Sequence, residues 1–157
     1  SEAFSLVYFR YKEDEKLKKS TSEMKKKLSP FQLKAQNVTE WPNTQILGND
    51  GGHIYRMVTY RTDMDMIPIL EEADTVYDWD YPQYPMDPCF YKDGYAWFVV
   101  TSHEYFSILY LGEEGSFPLI SDLEGVGVTL IPQGRVAETE LLYNLRTWTQ
   151  LMLWRYN

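Results

Sequence analysis

Cys89-Phe90-Tyr91, Lys92-Asp93-Gly94 and the run Tyr95 to Thr101 form one continuous pattern, two β-prone stretches around an Asp-Gly turn. Asp and Gly tolerate the positive φ that a tight hairpin turn demands, so this segment predicts two antiparallel strands. A lone hairpin is marginal in water and needs further strands beside it. The chain offers them. In Ala3 to Tyr11, Phe4, Leu6 and Tyr8 take one side while Val7, Phe9 and Tyr11 take the other, so both faces of this strand can be covered. Thr44 to Leu47 and His53 to Thr62 flank Gly48-Asn49-Asp50-Gly51-Gly52, which reads as a second hairpin. Tyr105 to Leu111 and Val126 to Ile131, the latter closed by Pro132, add two more strands.

Two segments carry helical spacing instead. Leu17, Met24 and Leu28 mark one thin face of a Lys-rich helix over Glu13 to Leu28, which Pro30 ends. Leu141, Leu145, Trp148 and Met152 mark a broader face near the C-terminus. The expected fold is therefore α+β: a mainly antiparallel sheet of about five to six strands. The Lys-rich helix follows the first strand, and a C-terminal amphipathic helix packs on the sheet. With 157 residues, 44% of them hydrophobic, the chain is expected to form one domain over 1–157 with a sustainable core.

Charge gives the first functional direction. The net charge is -8, and the signs are segregated. Arg10 to Lys34 holds nine basic and four acidic residues, leaving six basic and nineteen acidic elsewhere. Between Thr62 and Tyr91 there are eight carboxylates and no Lys, Arg or His: Asp63, Asp65, Glu71, Glu72, Asp74, Asp78, Asp80 and Asp87. Such a surface repels phosphate, which argues against nucleic-acid and anionic-lipid partners. It attracts a basic protein and speeds encounter with it. Acidity as a plain aid to solubility is the competing reading. No run of eighteen apolar residues exists, and the first residues lack the order of a secretory signal, so a cytoplasmic protein without a membrane partner is expected.

Tyr77 to Phe98 carries nine aromatic residues interleaved with Asp78, Asp80, Asp87 and Asp93, and Pro82, Pro85 and Pro88 recur at every third position. Prolines fix φ and remove donors, so the run before Cys89 should be an extended loop that loses little entropy on binding. Carboxylates beside rings suit Arg or Lys partners through ion pairing and cation–π contact. Asp78, Trp79, Asp80, Tyr81, Tyr84 and Asp87 are the candidate partner-binding residues. On the alternative reading the rings fold inward and cap the sheet, as large aromatics commonly do.

Chemistry-bearing motifs are sparse. Asp63/Asp65 and Asp78/Asp80 place paired carboxylates on one face of an extended chain, but two carboxylates do not complete a calcium or magnesium shell. One Cys and two His leave little material for disulfides or zinc. Cys89, His103 and Glu104 are the residues from which a nucleophile, base and orienter could be assembled, yet the acidic neighbourhood opposes a thiolate. The glycine-rich stretch lacks the Lys and Ser/Thr of a P-loop. No catalytic residue, metal or cofactor is expected.

Three functions compete. The first is a non-enzymatic binding protein that engages or inhibits a basic macromolecule, of the immunity, inhibitor or anti-defence type. The second is a structural or assembly subunit with an aromatic homodimer interface. The third is a small Cys-dependent hydrolase using Cys89 and His103. Under the first, Asp78 and Asp80 would act chiefly on the rate of association.

Overall fold

The computed structural model describes residues 2–10, 19–48, 51–110, 128–131 and 135–139. Ten strands are present in them: β1 (Glu2–Arg10), β2 (Gln32–Val38), β3 (Glu40–Trp41), β4 (Thr44–Gln45), β5 (Ile54–Arg61), β6 (Met86–Lys92), β7 (Tyr95–Thr101), β8 (Phe106–Tyr110), β9 (Val128–Ile131) and β10 (Arg135–Thr139). Helix α1 spans Lys19–Leu28 and the single turn α2 spans Ile67–Leu70. The main sheet runs β2-β5-β1-β6-β7-β8, and the β9–β10 hairpin joins β8 through β10, making eight strands. Every pairing is antiparallel. The fold is α+β. The C-terminal helix expected around Leu141 to Met152, and the first residues of the Lys-rich helix, lie outside the described residues.

The Asp-Gly hairpin forms as its sequence predicts. Lys92 pairs with Tyr95, and both turn residues take positive φ, 50° at Asp93 and 84° at Gly94. That double left-handed turn matches the twist of the strands it joins. The second expected hairpin does not form. Thr44–Gln45 instead folds back on Glu40–Trp41 across Pro42-Asn43, with Asn43 at φ 66°. Asn enters that region at little cost, so the chain turns at Pro42-Asn43, six positions before the expected turn that starts at Gly48. Strand β5 pairs with β2 on one side and β1 on the other. The edge strand β2, Gln-Leu-Lys-Ala-Gln-Asn-Val, has no β-branched alternation to announce it.

Phe4, Leu6 and Tyr8 of β1 point into the main core with Val58, Tyr60, Phe90, Phe98 and Val100. Register stacks four of these rings across four strands: Tyr60 on Phe4 at 5.1 Å, Phe4 on Phe90 at 5.6 Å and Phe90 on Phe98 at 5.8 Å. Such cross-strand pairs add about 0.5–1.5 kcal/mol each beyond area burial. Trp97 is an extra residue between the pairs Phe90–Phe98 and Tyr91–Ala96, a bulge that places it in the same core. Helix α1 covers this face with Met24 and Leu28, and α2 with Ile67 and Leu70. Ser5, Val7, Cys89, Val99 and Thr101 are buried as well, so residues from both sides of the central strands are covered.

Candidate functional site

The acidic, aromatic segment leaves α2 at Leu70 and returns to the sheet at Met86. Its shape follows from local hydrogen bonds. Thr75 and Asp78 close a capping box around a single 3-10 turn, Val76–Asp78: the Thr75 N–H donates to Asp78 Oδ2 at 2.7 Å, and Thr75 Oγ1 accepts from the Tyr77 N–H at 3.3 Å. Next, the Tyr81 N–H donates to Asp80 Oδ1 at 2.8 Å and the Tyr84 N–H to the Asp80 carbonyl at 3.0 Å. The hydroxyls of Ser20 and Thr21 on α1 both donate to the Pro82 carbonyl at 3.0 Å. The loop is thereby tied to the helix across from it.

The six candidate residues part company here. Trp79 is 0% exposed, in the main core, with Tyr84 packed on it at 5.2 Å between ring centroids. Asp87 is also inside: its Oδ2 accepts from Trp41 Nε1–H and its Oδ1 from the Ser102 N–H, each at 2.8 Å. Asp87 takes φ 53° where β6 carries one residue more than β1 between their pairings, and Pro88, which has no N–H to donate, follows it at that bulge. This carboxylate thus satisfies two buried donors and is not presented to a partner. Asp78 is exposed, while Asp80, Tyr81 and Tyr84 are half-buried. Of the nine rings between Tyr77 and Phe98, Tyr95 alone is exposed. Inward-folded rings are the rule in this segment, because the core behind it needs their area.

Exposed carboxylates nevertheless gather. Glu71, Glu72, Asp74 and Asp78 are all exposed. The Tyr84 phenol is held above its usual pKa first by burial, then by Glu72, Asp78 and Asp74, with Lys27 opposing. Its hydroxyl donates to the Glu72 carbonyl at 2.8 Å. One phenol therefore feels three acids from different parts of the segment. Asp80 and Asp87 are raised above the ordinary carboxylate range, in both cases first by burial; N–H donors and His103 partly offset it.

A groove of about 370 Å³ opens beside Tyr84, lined by Ser20, Glu23, Met24, Lys27, Glu72, Gln83 and Tyr84. Its α1 side is one helical stripe, at intervals of three, one and three residues. Lys27 Nζ donates to both oxygens of Glu72, at 2.6 and 2.7 Å. Lys27, Glu72 and Gln83 were not legible as neighbours, because the helical face marked in the sequence was that of Leu17, Met24 and Leu28, and nothing local says which loop faces α1.

The residues considered for catalysis lie differently. Cys89 is buried, its thiol is pushed up to about 12 by burial, and Tyr91 is its hydrogen-bonding neighbour. His103 Nε2 faces Glu104 at 3.8 Å on the surface. Among the described residues no group of three or more His, Cys, Asp or Glu side chains is placed to hold a metal ion. No helix among them is long and apolar enough to cross a membrane. No protein-family model, curated protein or solved structure matches this chain.

Proposed function

We propose that the protein is a non-enzymatic binding module whose acidic surface engages, and in doing so inhibits, a basic macromolecular partner. The surface consists of Glu71, Glu72, Asp74 and Asp78, with the half-buried Tyr84 bonded through its hydroxyl to the Glu72 carbonyl and Asp80 and Tyr81 half-buried in the same loop. The observation that carries the reading is that four carboxylates, Glu71, Glu72, Asp74 and Asp78, are all exposed within one short segment whose backbone is tied to Tyr84 through the Glu72 carbonyl. Clustered like charges raise the local potential and steer a cationic partner, which separated acids on a solubilising surface do not do to the same degree. Proline and the ties to α1 hold the loop in place, so little ordering entropy opposes docking. Trp79 and Asp87 act from inside, fixing the loop rather than touching the partner.

The homodimer reading has less behind it, since eight of the nine rings on which it depended are buried or half-buried. The hydrolase reading meets a buried thiol whose pKa disfavours the nucleophilic form. The test is paired affinity capture from the source cell, with the wild type and a D74N/D78N variant as baits. A basic protein retained by the wild type, depleted on the variant and released by salt supports the reading. Equal retention on both baits contradicts it.

A further inference from the structure

The groove between α1 and the Glu72–Tyr84 segment has the chemistry of a slot for a single arginine side chain. Met24, 2% exposed, closes its floor, the half-buried Tyr84 ring gives it accessible apolar surface, Glu23 and Glu72 give carboxylates, and Gln83 an amide. Apolar surface suits the methylene stem of a long cationic side chain, while carboxylate and ring suit its head. The slot already holds a cation from its own chain. Lys27 comes from α1 and its ammonium donates to both oxygens of Glu72, with the two side chains 47% and 37% exposed. A lysine is a point charge on a flexible stem, whereas guanidinium is planar and matches two carboxylate oxygens with two parallel N–H donors. The pair is half-exposed, so separating it costs little.

We infer that this groove receives an arginine side chain of the basic partner, which takes Glu72 from Lys27, and that Lys27 is an internal competitor setting the affinity. The inference rests on the acidic-surface reading and adds to it a definite pocket and a preference for arginine over lysine.

The experiment is calorimetric titration of the whole chain with nona-arginine and, separately, nona-lysine. Four proteins are compared: wild type, K27A, K26A and E72Q. Lys26 is exposed on the same helical turn, does not line the groove, and controls for the loss of one positive charge. Nona-arginine should bind K27A roughly two- to fivefold tighter than K26A, the range set by the worth of an exposed ion pair. E72Q should bind it more weakly than wild type, and nona-lysine should show a smaller gain in K27A. Equal affinities for K27A and K26A, or equal gains for both peptides, overturn the slot. A D74N/D78N variant separates the two levels. If it weakens nona-arginine binding while K27A and K26A remain equal, the acidic surface stands and the slot falls. Absence of binding to every protein overturns both.

Discussion

Asp87 and Asp78 are both aspartates in one acidic run, yet one is sealed inside and the other faces water. Asp78 is held locally by the Thr75 N–H, whereas Asp87 is held by partners its neighbours in sequence do not advertise: Trp41 lies forty-six positions before it, and the Ser102 N–H fifteen after it. Removing that carboxylate strands two buried donors, so Asp87→Ala should cost about 2 kcal/mol or more, seen in chemical denaturation. Trp79→Ala should cost about 3–5 kcal/mol, because it empties a fully enclosed indole site. A cost under 1 kcal/mol would place that ring outside the core. Asp80 and Asp87 also carry a pH signature. Their folded-state pKa values lie above the unfolded value of 3.8, so the stability they contribute is full below 3.8 and is lost as pH rises through the folded value. The stability of the wild type relative to Asp80→Asn should therefore fall as pH rises across that window, read from denaturation midpoints. Parallel pH profiles would contradict it. At this scale the sequence showed that rings and acids alternate, but which member of each pair turns inward depends on partners on distant strands.

Among elements, the hairpin β6–β7 was the most legible because its turn is specified by two adjacent residues and its strands by local β propensity. Gly94, at φ 84°, makes a direct test: Gly94→Ala should destabilise by about 1 kcal/mol through backbone strain alone, since a Cβ there meets no atom within 4 Å. Strand β1 was equally readable, having apolar residues on both sides. β2 was not. It is a polar edge strand, and what makes it a strand is β5 beside it rather than its own composition. The Gly48–Gly52 stretch misled for a related reason: glycine marks where a chain can turn, and the Pro42-Asn43 turn had already reversed it. The run before Cys89 was expected to be an extended loop; the chain instead makes a 3-10 turn at Val76–Asp78 and is already a strand from Met86. Its capping box at Thr75 and Asp78 was visible as Thr-x-x-Asp, although the proline spacing drew attention away from it.

For the molecule as a whole, the central point is the division of labour within one acidic segment. Its rings Tyr77 and Trp79 are buried in the same core cluster as the four-strand aromatic ladder, and its carboxylates Glu71, Glu72, Asp74 and Asp78 stay exposed. The expected surface of displayed rings is replaced by an acidic surface backed by rings, with Tyr84 half-buried between the two. This moves the affinity away from aromatic hot spots and toward charge, which makes association salt-sensitive. The most direct measurement is the association rate of the captured basic partner with wild type and with D74N/D78N, followed from low to high ionic strength by stopped flow. The variant should associate roughly fivefold or more slowly at low ionic strength, with the two rates converging at high salt and dissociation little changed. Equal association rates at low ionic strength would contradict it.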